Sequence, residues 1–283
     1  MSRCSRGCAA HHVLAATDLA YTAPPPLAGR AHHCPMPLLR RFLDANSRLS
    51  ARLDQRKDAE LYARYDAHVA AAIRALPAGA IVVDLGGGRH CSFAQHIRPA
   101  QNVRVVAVDI SPAELAANTT VHETRVADVS EGLPFADAEV DLLVSRTVLE
   151  HVDGVEATVN HIARVLRPGG TTLHLLPCRY ALFAIVARTV PFPLAKRILH
   201  LLIPSARGVV EFDVFYDHAH PRSLERIFVA AGFRQVDIEC TWDQADYFHP
   251  VFPIFLLVLL YQRVAEVLGI RSLAAYAMVR AVR

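Results

Sequence analysis

Lysine is nearly absent: of 30 basic side chains only Lys57 and Lys196 are lysines, which leaves 28 arginines. Such a skew reads as a coding bias and points to no ligand. An excess of one charge sign is missing as well. Thirty Lys and Arg stand against 27 Asp and Glu, and a net charge of +3 over 283 residues is too even for a nucleic-acid-binding footprint. What excess exists sits at the start, where residues 1–57 hold nine basic and three acidic side chains (+6), leaving −3 for the remainder. Paired cysteines are lacking too. Cys4, Cys8, Cys34, Cys91, Cys178 and Cys240 are scattered without ligand-pair spacing, which favours reduced thiols in a cytoplasmic setting over a disulfide framework. Cys4, Cys8, His11, His12, His32, His33 and Cys34 match no compact finger, so no metal site is expected.

No apolar run is long enough to span a bilayer. The longest, Val251 to Tyr261, has 11 residues, and as a helix it reaches about 16 Å against a hydrocarbon core of roughly 30 Å. The N-terminus carries no continuous apolar stretch of the secretory type, so export is not expected. With 53% hydrophobic and 20% charged residues the chain can nevertheless bury a full core.

Residues 1–37, rich in proline and without a sustained period, read as a disordered tail ahead of a single domain over 38–283. Helical spacing runs from Leu38 to Leu76 and stops at Pro77-Ala78-Gly79. Strands are then expected at 80–85, 103–109, 121–127, 140–145, 171–176, 233–239 and 274–282, with helices at 91–97, 112–118, 155–166 and 222–231. Short apolar runs alternating with helices predict an α/β fold whose parallel sheet is covered on both faces.

The chemistry concentrates where strand one meets Asp84-Leu85-Gly86-Gly87-Gly88-Arg89-His90. Glycines lacking Cβ let a ligand approach the backbone, and the following segment offers free N–H groups. Asp109 ends the second strand 25 residues after Asp84, where a carboxylate can accept from ribose hydroxyls. Ala127-Asp128-Val129 ends the third, Ser145-Arg146 closes the fourth ahead of Leu149-Glu150-His151, and Arg167-Pro168-Gly169-Gly170 precedes the fifth. A dinucleotide fingerprint fits less well, since Gly86-Gly87-Gly88-Arg89-His90-Cys91 lacks its last glycine.

Taken together these segments resemble the class I S-adenosylmethionine-dependent methyltransferases, in the small-molecule branch that includes quinone-biosynthesis-like enzymes. The resemblance covers about residues 60–240, and the final strand extends it. It implies a doubly wound, seven-stranded, mostly parallel Rossmann-like sheet with S-adenosyl-L-methionine as cofactor. Asp84, Gly86 and Gly88 would surround the methionine moiety, Asp109 would hold the ribose, Asp128 the adenine amino group, and Val129 would lie near the ring. Gly87, Ile110 and Arg146 complete the implied cofactor set. His90 departs from the pattern, standing where the family has its third glycine.

Candidate bases are His151, His218 and His220. Each has a structural alternative: His151 at a helix start, His218 and His220 in a loop and cap before Pro221. Two apolar helical insertions, Tyr180 to Pro204 and Phe248 to Ile270, are expected at the active-site rim, as a membrane-docking face, a lid or a subunit contact. The resulting expectation is methyl transfer to a small amphiphilic or lipid-linked acceptor by a cytoplasmic protein peripheral to a membrane, with no nucleic-acid partner. The alternative is a non-catalytic membrane-associated binding module that retains the fold.

Overall fold

The computed structural model describes residues 37–53, 57–97, 102–189 and 214–283. The expected tail up to residue 36 and positions 190–204 of the first insertion lie outside the described residues. Seven strands form one sheet: β1 (Ile81–Leu85), β2 (Arg104–Asp109), β3 (Glu123–Val126), β4 (Val140–Arg146), β5 (Leu166–Pro177), β6 (Gln235–Thr241) and β7 (Tyr276–Val282). Their order is β3-β2-β1-β4-β5-β7-β6, with β7 antiparallel to both neighbours and the pairs from β3 to β5 parallel.

Residue choice follows position in that sheet. β1, β2 and β4 are Val- and Leu-rich runs buried along almost their whole length, as strands covered on both faces require. Edge strand β3 alternates half-buried and exposed residues and carries charges, Glu123 pairing with Arg104 of β2 and with Arg125. The Arg167-Pro168-Gly169-Gly170 segment bulges out of the β4–β5 ladder between Leu166 and Thr171.

The helices are α1 (Pro37–Leu53), α2 (Lys57–Ala75), α3 (Pro112–Ala116), α4 (Val155–Val165), α5 (Leu182–Thr189), α6 (Pro221–Ala230) and α7 (Phe252–Val267). The helical stretch expected over 38–76 is seen as α1 and α2, on either side of residues 54–56, which lie outside the described residues. The helix expected over 91–97 is only a 3₁₀ turn, Ala94–His96. Tyr65, fully buried on α2, donates its hydroxyl to the Ser145 carbonyl at 2.9 Å and so pins that helix to β4.

Beneath that contact lies a buried polar chain. The Thr172 hydroxyl donates to the Leu143 carbonyl (2.9 Å), so its lone pair accepts from His174 Nε2 (2.7 Å), and His174 Nδ1 accepts from the Ser145 hydroxyl (2.7 Å). The pattern accommodates one ring proton, and burial pushes the His174 pKa down to about 3. The unfolded chain protonates this histidine near pH ~6.5, so stability is lost as pH falls from there toward the folded value. His174→Gln, which cannot titrate, is expected to flatten the acid side of the stability profile; thermal melts between neutral and mildly acid pH measure it. An unchanged acid slope would show that His174 is not the group responsible.

Candidate functional site

The sheet reverses direction of winding between β1 and β4, and a crevice opens there beyond the carboxyl ends of the strands. The chain leaves β1 through Gly86 (φ +69°) and Gly88 (φ +42°), backbone angles that favour glycine. Gly87 is needed for space instead, since a Cβ there would lie 2.8 Å from Ala107 Cβ. The N–H groups of Gly86 and Gly87 both donate to the Val108 carbonyl, at 2.7 and 3.3 Å. The Asn118 side chain braces the turn by donating to the carbonyls of Gly87 (3.2 Å) and Gly88 (2.9 Å). The turn borders a cavity of about 750 Å³, within the size range of small-molecule and cofactor sites.

Three carboxylates at or beside strand ends face this cavity. Asp109 Oδ2 accepts from the Gly88 N–H (3.1 Å) and Oδ1 from the Ser111 N–H (2.8 Å), which fixes its orientation. Asp128 Oδ1 accepts from the backbone N–H and hydroxyl of Ser130, at 2.9 and 2.6 Å. Asp84 is the buried one, 8% exposed. Burial lifts its pKa to about 7, against the opposing pull of the Cys91 thiol hydrogen bond and the Arg146 charge. A carboxyl so desolvated favours a cationic partner group. Asp84, Gly86, Gly87, Gly88, Asp109, Ile110, Asp128, Val129 and Arg146 all line the cavity, as does His90.

On the far wall stands His151, at the end of a 3₁₀ turn (Leu149–His151), with its Nε2 3.9 Å from Glu150 Oε1. Beside it Thr147 holds φ +55°, an unusual conformation for a β-branched residue, and Val148 packs against Gly86. Phe215 joins this wall because the N–H groups of Phe215 and Tyr216 both donate to the Glu150 carbonyl at 2.9 Å. No local pattern announces Phe215; only the tertiary contact with Glu150 brings it in. Val148 is equally silent, since its approach to Gly86 exists only once β1 and β4 are paired.

His218 and His220 do not line the cavity. His218 sits at φ +50° with Nε2 3.7 Å from Asp217 Oδ1, while Asp217 Oδ2 accepts from the Val155 N–H at the start of α4. His220 occupies the residue before Pro221 at the start of α6, its ring edge-on to Tyr180. The described parts of the two insertions do not line the cavity either. They meet at Leu182, which joins Phe252, Phe255 and Val258 in one apolar cluster, while the segment just before the second insertion also holds the first: the Leu182 N–H donates to Gln244 Oε1 (2.7 Å), and Phe183 stacks on Tyr247 at 4.5 Å. The second insertion follows β6, so it leaves the sheet at the same edge as the cavity but several strands away.

A sheet of this order, with a glycine turn and carboxylates at or beside strand ends at its switch point, defines the class I methyltransferase architecture. The family model described as a methyltransferase domain matches residues 54–238, and the chain belongs to this family. An uncharacterized methyltransferase of Mycobacterium sp. (strain KMS) is 36% identical over 102 residues, 35% of this chain and 40% of that protein. One of Mycolicibacterium vanbaalenii is 36% identical over 97 residues, 33% of this chain and 37% of its own. The chain thus matches about 40% of the length of the curated relatives. Among solved structures, a SAM-dependent methyltransferase from Archaeoglobus fulgidus aligns with a TM-score of 0.49 at 16% identity, over 77% of this chain and 92% of that chain.

Proposed function

We propose that the protein binds S-adenosylmethionine in this cavity and transfers its methyl group to a small amphiphilic or lipid-linked acceptor, reached at a membrane surface beside α7. The observation that supports it most is the convergence of Asp84, Asp109 and Asp128 with the Gly86-Gly87-Gly88 turn on one cavity. The residues suit the cofactor. Gly87 leaves open a backbone approach that a Cβ would fill, Asp109 is oriented for paired hydroxyls, and Asp84 offers a desolvated carboxyl for the cationic methionine end. S-adenosylmethionine supplies a methyl already activated by its sulfonium, so the protein's work is chiefly alignment and exclusion of water. Val148, Val152 and Phe215 form the apolar wall that an acceptor would meet, and His151 stands on that wall to take a proton.

Titration calorimetry with S-adenosylmethionine tests the cofactor half. Near pH 7 Asp84 is partly protonated, so a cationic ligand drives its proton off, and the binding heat should vary with the buffer's ionisation enthalpy. The proton release should shrink between pH 7 and pH ~8, as Asp84 ionises in the free protein. Absence of binding overturns the reading. Binding without transfer of labelled methyl to any membrane lipid extract would instead mark a non-catalytic module.

A further inference from the structure

The outer face of α7 is apolar nearly all round. Leu256, Leu257, Leu260, Val264, Val267 and Leu268 are exposed, Leu257 at 68% and Val267 at 84%, while Phe255, Val258, Gln262 and Ala265 face inward. Its charges, Arg263 and Glu266, pair with each other at 2.8 Å. A face of this kind costs solvation free energy in water and calls for an occupant. Among the described residues no helix is long and apolar enough to cross a membrane.

The neighbouring helix bears on the choice of occupant. α1 packs against α7: Asn46 Oδ1 accepts from the Phe252 N–H (3.1 Å), and the Ser50 hydroxyl donates to the His249 carbonyl (3.0 Å). At 3.6 residues per turn, Leu38, Phe42, Leu49 and Leu53 fall on one stripe about 60° wide, beside the docked face, and all four are exposed. Along the other flank of the stripe runs a row of exposed arginines, Arg41, Arg48 and Arg52, while the lone acid, Asp44, lies farther round. An apolar stripe edged by long cationic side chains is the pattern of a helix lying in a bilayer interface, its arginines reaching headgroup phosphates.

We propose that α1 and α7 together form a docking face for a bilayer rich in anionic phospholipid, with Arg41, Arg48 and Arg52 reading the lipid charge. The inference deepens the membrane-surface part of the proposed function and rests on it. Charge complementarity selects the occupant. A second copy of this face has no acidic row to set against the arginines, since Glu266 is paired with Arg263 and Asp44 lies away from the stripe. Anionic headgroups supply that complement without further residues.

Flotation of the full chain with vesicles tests the proposal. The protein should float with phosphatidylcholine vesicles containing phosphatidylglycerol, weakly with phosphatidylcholine alone, and less as salt rises. The R41Q/R48Q/R52Q variant should lose about a hundredfold in partitioning to the anionic vesicles, roughly fivefold per arginine, while keeping wild-type S-adenosylmethionine binding. L257D/L260D, at exposed positions, should abolish flotation on both compositions without changing the melting temperature. Equal flotation of the arginine variant and wild type would overturn the proposal, and loss in L257D/L260D alone would leave the broader membrane reading standing. No flotation of wild type overturns both. A dimer in sedimentation velocity that L257D/L260D disperses, without flotation, would assign the face to a second copy and likewise overturn it.

Discussion

Asp109→Ala is expected to weaken S-adenosylmethionine binding by about two orders of magnitude. Two charge-assisted hydrogen bonds to ribose hydroxyls, each worth roughly 1.5 kcal/mol or more, add to about 3 kcal/mol, and each ~1.4 kcal/mol is a factor of ten. Part of the loss is indirect, because Asp109 also accepts from the N–H groups of Gly88 and Ser111 and so shapes the turn. Calorimetry reports the affinity and a thermal melt reports the turn. The melt should fall by only a few degrees, since those two N–H groups lie at the cavity edge, where water can replace the lost acceptor. An unchanged affinity would show that the ribose does not sit at β2.

Gly86→Ala should cost the fold more than any other single methyl in the site. The residue holds φ +69°, and its Cβ would come within 2.3 Å of Val148 Cγ2. A left-handed alanine costs roughly 1–2 kcal/mol, and overpacking against a β-branched neighbour adds roughly 1–3 kcal/mol. For a domain of this length that lowers the melting temperature by about 5–15 °C. The two contributions separate in the double variant Gly86→Ala/Val148→Ala, which should recover the clash and keep the backbone cost. A Gly86→Ala melt equal to wild type would show that the turn is not held in this conformation.

Much of this site is legible in the sequence. Asp84 lies one residue before the end of β1, Asp109 ends β2 and Asp128 follows β3 by two residues, and strand ends are marked locally by the switch from apolar runs to glycine or acid. Parallel pairing then carries these ends to one edge whatever lies between them. The acceptor wall was not legible, because Phe215 depends on a carbonyl 65 positions earlier and Val148 on a clash across the turn. His218 and His220 drew attention through residue type, yet backbone geometry sets their positions: a left-handed turn and the residue before a helix-starting proline. Residues 91–97 satisfied a helical pattern, but seven residues are less than two turns, too few to hold a helix by local bonds, and they form only the 3₁₀ turn Ala94–His96. The membrane reading shifted as well. The apolar run at 251–261 drew notice by composition, whereas the arginine row of α1 gains meaning only once α1 is seen against α7.

The placement of β7 between β5 and β6 sets an order for synthesis on the ribosome. Among the described residues β6 pairs only with β7. It therefore stays unattached while residues 242–275 are made, including the apolar α7. Strands β1 to β5 can pair as they emerge, so the cavity is assembled first, and the sheet's far side locks only when residues 276–282 insert. Until that insertion the chain presents the unpaired edges of β5 and β6 together with the greasy face of α7, surfaces open to pairing with another chain.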